Sequence, residues 1–251
     1  MSRPEPAPRA APLLVGRHRS VPVRAVVVTL PGGALRSGLP PSRVARWALA
    51  GTRRALHAAL TDAAEYLLRY RFRGWDAGPE HAATLSDTRW ALAEVTRRHP
   101  NLPVVLVGNS LGGRAAIAAA EHPAVTGVVG IAPWLPPEQD VATLTGRPLL
   151  IIHGAADRSE APAAWSLAFA ERARASGIST ARFVVPRAGH FLLRRRRDWA
   201  RLTAAFAAGT TGVAPMPELL RHALGPGASL DLPLPVAHEL TRRGTRPAAP
   251  A

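Results

Sequence analysis

The stretch VVLVGNSLGG, residues 104–113, decides the fold of this chain. Its apolar residues end at Ser110, which has a glycine two positions away on each side, Gly108 and Gly112. A buried strand that turns sharply into a helix holds its turn residue in a strained backbone conformation, and side chains at the two glycine positions would collide with neighbouring chain. The alanine-rich residues that follow favour a helix. The stretch therefore predicts a strand, a tight turn and a helix, with the Ser110 hydroxyl raised clear of the backbone.

Such a turn is typical of an attacking serine, although the short pattern alone also occurs in ordinary turns, where Ser110 would be a helix N-cap. Serine attack needs a histidine base and a carboxylate that orients it, in the chain order serine, acid, histidine. Asp157 follows the apolar segment 149–154, and His190 follows the apolar segment 182–185. Because the carboxyl ends of parallel strands meet at one edge of a sheet, the three side chains are expected to lie together. We predict Ser110 as nucleophile, Asp157 as acid and His190 as base.

Each partner of the serine also has a structural interpretation. Asp157 can close a turn before the next helix, and the reserve acids are then Asp140 and, more weakly, Glu138. His190 can be a structural histidine, but the other eight histidines lack its Ala-Gly-His setting after a strand. His153 closes its own strand, so we expect a structural or supporting role for it.

With these residues in this order, the chain resembles the α/β-hydrolase superfamily over roughly residues 23–208. Within it, the chain is similar to small lidless serine hydrolases of actinobacterial type and distantly similar to dienelactone hydrolases, which use cysteine where this chain has Ser110. The early strand 25–30 ends in Pro31-Gly32-Gly33. The resemblance implies that this loop supplies one oxyanion N–H, from Gly33, and that Leu111 supplies the other.

Two residues near the nucleophile are candidates for substrate binding. Trp134 lies just past the apolar segment 125–132 and is expected to line an acyl pocket, with packing in the core as the alternative. Asn109 precedes the nucleophile, at a position where the family often has histidine, as it does at Pro31. The interval 135–147 is too short for a large helical lid. We therefore expect an open site suited to small soluble acyl compounds.

The whole chain fits one α/β domain with a mostly parallel sheet covered on both faces by helices. Its 251 residues, 47% of them apolar, can bury a sizeable core. We predict a disordered segment at 1–12, an α/β-hydrolase domain at 13–208, and a partly ordered Pro/Ala/Gly-rich tail at 209–251 with a short helix near 217–223. Apolar and helical patterns predict a strand at 66–72 and helices at 42–64, 81–98, 111–121, 161–176 and 195–208.

The net charge of +15 comes from 32 basic residues that are all arginine. Taken alone, this charge indicates an anionic partner. The absence of lysine beside abundant alanine, proline and glycine instead indicates coding bias, and the arginines are spread along the chain except for the run 194–197. We therefore expect no specific nucleic-acid partner. The run 194–197 closely follows His190, so a preference for anionic substrates stays open.

Compartment and cofactors follow from what the sequence lacks. The chain has no cysteine, which excludes disulfides and thiolate zinc sites. We see no apolar signal segment before Leu13 and no membrane-spanning stretch, and so expect a cytoplasmic protein with no membrane partner. Acyl transfer through serine, aspartate and histidine needs no metal or organic cofactor. The expected partner is a small acyl substrate; a non-catalytic binding protein on the same fold is the alternative.

Overall fold

An eight-stranded sheet forms the centre of the protein. The computed structural model describes residues 11–17, 21–39, 47–76 and 83–235. The strands are β1 Leu13–Arg17, β2 Ala25–Leu30, β3 Ala63–Arg69, β4 Val104–Asn109, β5 Val125–Ile131, β6 Leu149–Gly154, β7 Thr180–Val185 and β8 Leu232–Pro233. They lie in the order β1-β3-β2-β4-β5-β6-β7-β8; β1 runs antiparallel to β3, and all other neighbours are parallel.

Helices cover both faces of this sheet. The described helices are α1 Ala50–Ala59, α2 Ala83–Arg98, α3 Leu111–Ala118, α4 Ala163–Ala175, α5 Arg196–Thr210 and α6 Glu218–Leu224. On one face, alternate strand residues such as Val107 and Ile152 pack against α1, α5 and α6; on the other, residues such as Leu106 and Ile151 pack against α2, α3 and α4. Because both faces are buried, a central strand such as β4 is a continuous apolar run rather than an alternating one. The predicted fold class is confirmed.

The boundary between the first predicted helix and the following strand was misplaced. Helix α1 ends at Ala59, and residues 42–46 of the predicted helix 42–64 lie outside the described residues. Strand β3 begins at Ala63, where it pairs with Ala25 of β2. Alanine favours helices, but pairing with a neighbouring strand overrides this local preference. The strand then ends at Arg69 instead of Phe72.

The packed domain extends beyond the predicted boundary at residue 208. Helix α6 buries Leu220, and the chain returns to the sheet at β8, beside which Leu234 is buried. Buried Arg182 of β7 pairs with Asp231 and donates a hydrogen bond to the Leu230 carbonyl at 2.9 Å. Residues 209–235 are therefore part of the domain. Of the predicted end segments 1–12 and 209–251, residues 1–10 and 236–251 lie outside the described residues.

Two further observations concern the presence of a lid and of a membrane-spanning helix. The chain between β5 and β6 contains only one short 3-10 helix, Ala142–Leu144, so no large lid is inserted there. Among the described residues, no helix has the length and apolar character needed to cross a bilayer.

Candidate active site

The turn between β4 and α3 has the strained geometry that the sequence predicts. Ser110 has φ 52° and ψ −118°, a combination that residues with a side chain rarely adopt. A Cβ at Gly108 would lie 2.1 Å from the Gly112 carbonyl oxygen, and one at Gly112 would lie 2.2 Å from the Leu30 carbonyl oxygen. Both positions therefore require glycine, since backbone atoms occupy the space that a side chain needs.

Hydrogen bonds hold this turn against the end of β5. The Ser110 amide donates to the Ile131 carbonyl at 3.0 Å, and the Trp134 amide donates to the Ser110 carbonyl at 3.1 Å. The Asn109 side chain also donates to the Ile131 carbonyl, at 3.0 Å. Asn109 is not among the residues that line the cavity above Ser110. Its amide thus fastens β4 to β5, and its assignment to substrate binding has no support in this geometry.

The three residues predicted to act together form one chain of hydrogen bonds. Ser110 Oγ lies 3.0 Å from His190 Nε2, and His190 Nδ1 lies 2.8 Å from Asp157 Oδ2. A carboxylate only accepts, so Nδ1 carries the ring proton and donates it to Asp157, while Nε2 accepts from the Ser110 hydroxyl. Each residue follows the carboxyl end of a different strand: β4, β6 and β7. The order of these parallel strands brings residues far apart in sequence to one sheet edge.

Asp157 is held by four hydrogen-bond donors. Oδ1 accepts from the Ser159 amide at 3.0 Å and from the Ser159 hydroxyl at 2.7 Å. Oδ2 accepts from His190 and, at 3.1 Å, from His153 Nε2. Burial by itself raises the pKa of the carboxyl group, but these hydrogen bonds outweigh burial and hold the pKa well below its ordinary value. Asp157 is therefore a fixed carboxylate at neutral pH.

His153 supports the acid from inside the protein. Its side chain is fully buried, and Nε2 lies 3.1 Å from both Asp157 Oδ2 and the Ala161 carbonyl oxygen. Both neighbours are acceptors, so Nε2 carries the proton. Nδ1 is buried without a hydrogen-bond partner among the described residues. The structure thus gives His153 the supporting position that the sequence predicts.

Leu111 and Gly33, whose amides are the predicted oxyanion donors, line the same cavity as Ser110. Neither donates to a backbone carbonyl within the described part of the chain. A Cβ at Gly33 would lie 2.1 Å from the Arg73 carbonyl oxygen and 2.6 Å from Leu111 Cδ2. The Ala34 amide, which donates to that same Arg73 carbonyl at 2.8 Å, helps to fix the loop. Two residues whose amides are not paired with a backbone carbonyl are thereby held at the cavity of the serine.

An open cavity of about 260 Å³ lies over Ser110 and His190. Trp134 lines it, as predicted, together with Leu35 and Ala161, while Ser159 and Glu160 add polar groups. The lining residues after Asp157 were not predicted from the sequence. A serine two positions after an aspartate is a common turn pattern and could have indicated Ser159. Leu35 carried no signal beyond its place in the loop after β2.

A half-buried arginine fixes the wall of the cavity. The Arg114 guanidinium lies between two indole rings, 4.2 Å from the ring centroid of Trp75 and 4.6 Å from that of Trp134. It also donates to the Gln139 side chain at 3.0 Å. Burial lowers the pKa of Arg114, and the carboxylates of Glu138 and Asp76 oppose this shift. The Trp134 ring is therefore clamped in place.

The reserve acids do not approach the histidine. Glu138 lies 3.8 Å from Arg114, and Asp140 accepts a hydrogen bond from the Ala142 amide at 2.9 Å. In the described structure the carboxylate that contacts His190 is that of Asp157.

Solved structures show the same architecture at low sequence identity. An α/β serine hydrolase without a lid from Xanthomonas campestris has a TM-score of 0.57 and 18% identity, covering 78% of this chain and 87% of that chain. A monoacylglycerol lipase from Paleococcus ferrophilus has a TM-score of 0.58 and 15% identity, covering 80% and 99%. Est1E from Butyrivibrio proteoclasticus, solved with ferulic acid bound, has a TM-score of 0.55 and 13% identity, covering 80% and 96%.

Neither a protein-family model nor a curated protein matches the chain. The strand order, the parallel sheet covered by helices and the similarity to these solved structures agree on one architecture. The protein has the α/β-hydrolase fold, in common with α/β serine hydrolases that include a lidless one.

Proposed function

We propose that the protein is a serine hydrolase that cleaves small carboxylic esters through an acyl-enzyme. The observation that carries this proposal is the hydrogen-bonded chain from Ser110 Oγ through His190 to Asp157, with distances of 3.0 and 2.8 Å. A nucleophile, a base within hydrogen-bond reach and a group that orients the base are the parts that serine catalysis requires.

The first half of the reaction forms the acyl-enzyme. Ser110 Oγ attacks the ester carbonyl while its proton passes to His190 Nε2, and Asp157 stabilises the resulting imidazolium through Nδ1–H. The carbonyl oxygen becomes an oxyanion that accepts hydrogen bonds from the amides of Leu111 and Gly33. Collapse of the tetrahedral intermediate breaks the ester C–O bond, and His190 gives its proton to the departing alcohol.

Water completes the turnover. It attacks the acyl group on Ser110, and its proton passes to His190 as the second tetrahedral intermediate forms. Breakdown of this intermediate releases the carboxylic acid, and His190 returns the proton to Ser110 Oγ. The connection between β5 and β6 inserts no large lid over the site, so water can reach the acyl-enzyme.

The cavity favours a small acyl group with apolar surface. Its volume of about 260 Å³ is slightly below the 300–1,000 Å³ typical of drug-sized ligand sites. Leu35, Ala161 and the clamped ring of Trp134 supply apolar contact, whereas Glu160 is the carboxylate among the lining residues. Neutral esters with short acyl groups suit this lining better than anionic ones.

Replacing the nucleophile tests the proposal directly. We expect the wild type to bind a fluorescent phosphonate covalently and to hydrolyse p-nitrophenyl esters, with rates that fall as the acyl chain outgrows the cavity. Ser110→Ala should lose labelling and at least 10³-fold in turnover, because the attacking oxygen is gone.

The matched control is Ser176→Ala, a change at an exposed serine after α4. It should retain labelling and turnover. A folded wild type that neither labels nor turns over any ester would overturn the proposal and favour a non-catalytic binding protein, and so would wild-type turnover by Ser110→Ala.

A further inference from the structure

The exposed apolar side chains are concentrated beside the active site. In the described ranges, the four most exposed large apolar residues are Phe191 at 65%, Leu193 at 62%, Trp47 at 58% and Leu39 at 56%. They belong to two segments, one after β2 and one between β7 and α5. An apolar side chain exposed this far contributes nothing to the core, so a concentration of them indicates an interaction surface.

The same region holds arginines without acidic partners. A groove of about 370 Å³ between α1 and α5 is lined by Trp47 and by four arginines, Arg54, Arg196, Arg197 and Arg201. Within the described parts of the chain, none of the four has a carboxylate at ion-pair distance. Four positive charges around one groove repel each other, and those at the start of α5 also oppose the helix dipole.

Contacts join the two segments into one surface. The Arg196 guanidinium lies 4.5 Å from the ring centroid of Trp47. Leu35 and His190 line the active-site cavity together, and the ring of Phe191 lies edge-on to His190 with centroids 5.8 Å apart. The two segments that carry the exposed apolar residues therefore meet at the arginine groove and at the mouth of the cavity. We refer to Leu39, Trp47, Phe191, Leu193 and the four groove arginines as the rim surface.

We propose that the rim surface docks on an anionic lipid bilayer and presents the active site to esters dissolved in it. Exposed aromatic and aliphatic side chains enter the headgroup region, while adjacent arginines bind anionic headgroups; this combination is typical of peripheral membrane binding. The inference rests on the proposed function for the reaction and on the rim surface for the docking. It differs from the sequence-based expectation of no membrane partner, because the sequence does not show which apolar residues are exposed together.

Vesicle binding tests the docking without any need for catalysis. We would titrate the full chain, carrying Ser110→Ala, with vesicles of phosphatidylglycerol and phosphatidylcholine, and with vesicles of phosphatidylcholine alone, following sedimentation. Binding should require the anionic lipid and weaken at high salt. Arg196→Gln with Arg197→Gln should lower the partition coefficient by about 25-fold, since each basic residue near an anionic surface contributes roughly fivefold.

Matched variants locate the effect on the rim surface. Leu193→Ser should weaken binding several-fold, whereas Leu13→Ser, at an exposed leucine of β1, should not. Arg221→Gln, at an exposed arginine of α6, is the control for the groove arginines. Equal losses in control and rim variants, or no binding by the parent protein, would overturn the proposal. Displacement by inorganic pyrophosphate at constant ionic strength would overturn it too, in favour of a site for free phosphate.

Activity gives a second readout that separates docking from chemistry. With Ser110 intact, Leu193→Ser should hydrolyse a soluble short-chain ester at the wild-type rate and a vesicle-bound ester several-fold more slowly. If Leu193→Ser matched the wild-type rate on both substrates, the docking proposal would be contradicted and the proposed hydrolase function would not. If the wild type did not hydrolyse the soluble ester, the proposed hydrolase function would be contradicted. The vesicle-binding result would not be affected.

Discussion

Asp157 shows how single side chains prepare the candidate site. The carboxylate accepts two hydrogen bonds from Ser159 and one each from His153 and His190. These bonds stabilise the charged form more than burial penalises it, and the pKa is held low. An acid that stays ionised can fix the ring of His190 in the tautomer that accepts the serine proton.

The low pKa of Asp157 predicts a pH-dependent contribution to stability. Because the folded-state pKa lies below the unfolded value, this contribution is present above about pH 4 and is lost as the pH falls through the folded-state pKa. The free energy of unfolding of the wild type should exceed that of Asp157→Asn by on the order of 2 kcal/mol at pH 6, and the gap should narrow below pH 4.

Urea unfolding of both proteins at pH 6, 5, 4 and 3 checks this prediction. A stability gap that is constant over the whole range would contradict the assignment of the low pKa.

Turnover by Asp157→Asn should also fall by roughly 10⁴-fold at neutral pH, because the amide favours the wrong ring tautomer.

The turn between β4 and α3 joins two elements at a distance that only glycine permits. Helix α3 approaches the end of β2 so closely that a Cβ at Gly112 would lie 2.2 Å from the Leu30 carbonyl oxygen, and a Cβ at Gly108 would lie 2.1 Å from the Gly112 carbonyl oxygen. This close packing places Ser110 and the Leu111 amide at the edge of the sheet.

Substituting these glycines should separate the elements. Gly112→Ala places a methyl group 2.2 Å from the Leu30 carbonyl oxygen and should lower the free energy of unfolding by about 2 kcal/mol or more, with loss of activity. Gly51→Ala is the matched control in α1, where an added Cβ meets no atom within 4 Å. It should stabilise the protein by up to about 1 kcal/mol. Chemical denaturation of the two variants gives the comparison, and a neutral Gly112→Ala would contradict the described packing.

Residues after α5 complete the packed core of the whole domain. Leu220 of α6 and Leu234 beside β8 belong to the core on the face of α1 and α5. Arg182 reaches from β7 to Asp231 and to the Leu230 carbonyl, so the returning chain also satisfies a buried guanidinium. These contacts make the segment 209–235 a part of the packed domain.

Truncating Leu220 should therefore cost as much as truncating any core leucine. Leu220→Ala, at a side chain with no exposed surface, is expected to lower the free energy of unfolding by about 2–4 kcal/mol. Leu193→Ala, at a leucine that is 62% exposed, should change it by less than about 0.5 kcal/mol. Denaturant titrations measure both values. Similar small effects at the two positions would show that α6 does not close the core.

The sequence by itself determined the local features of this protein. The apolar run of β4 and the two glycines around Ser110 lie within ten contiguous residues, so steric rules alone predict their strand-turn-helix geometry. The parallel sheet, and the positions of Asp157 and His190 after two of its strands, follow from short apolar segments in the same way. The similarity to actinobacterial hydrolases and the substrate class stay predictions.

Only the tertiary structure decided which distant residues meet. Pairing with β2 made a strand of Ala63 and Ala64 despite their helical preference, and the position of Ile131 gave Asn109 a fastening role. The second hydrogen bond from His153 to Asp157 and the joining of Trp47 with Arg196 likewise depend on elements that pack across the sequence. Local preference is set by neighbouring residues, whereas strand pairing, burial and exposure are set by long-range packing, which no contiguous stretch of sequence displays.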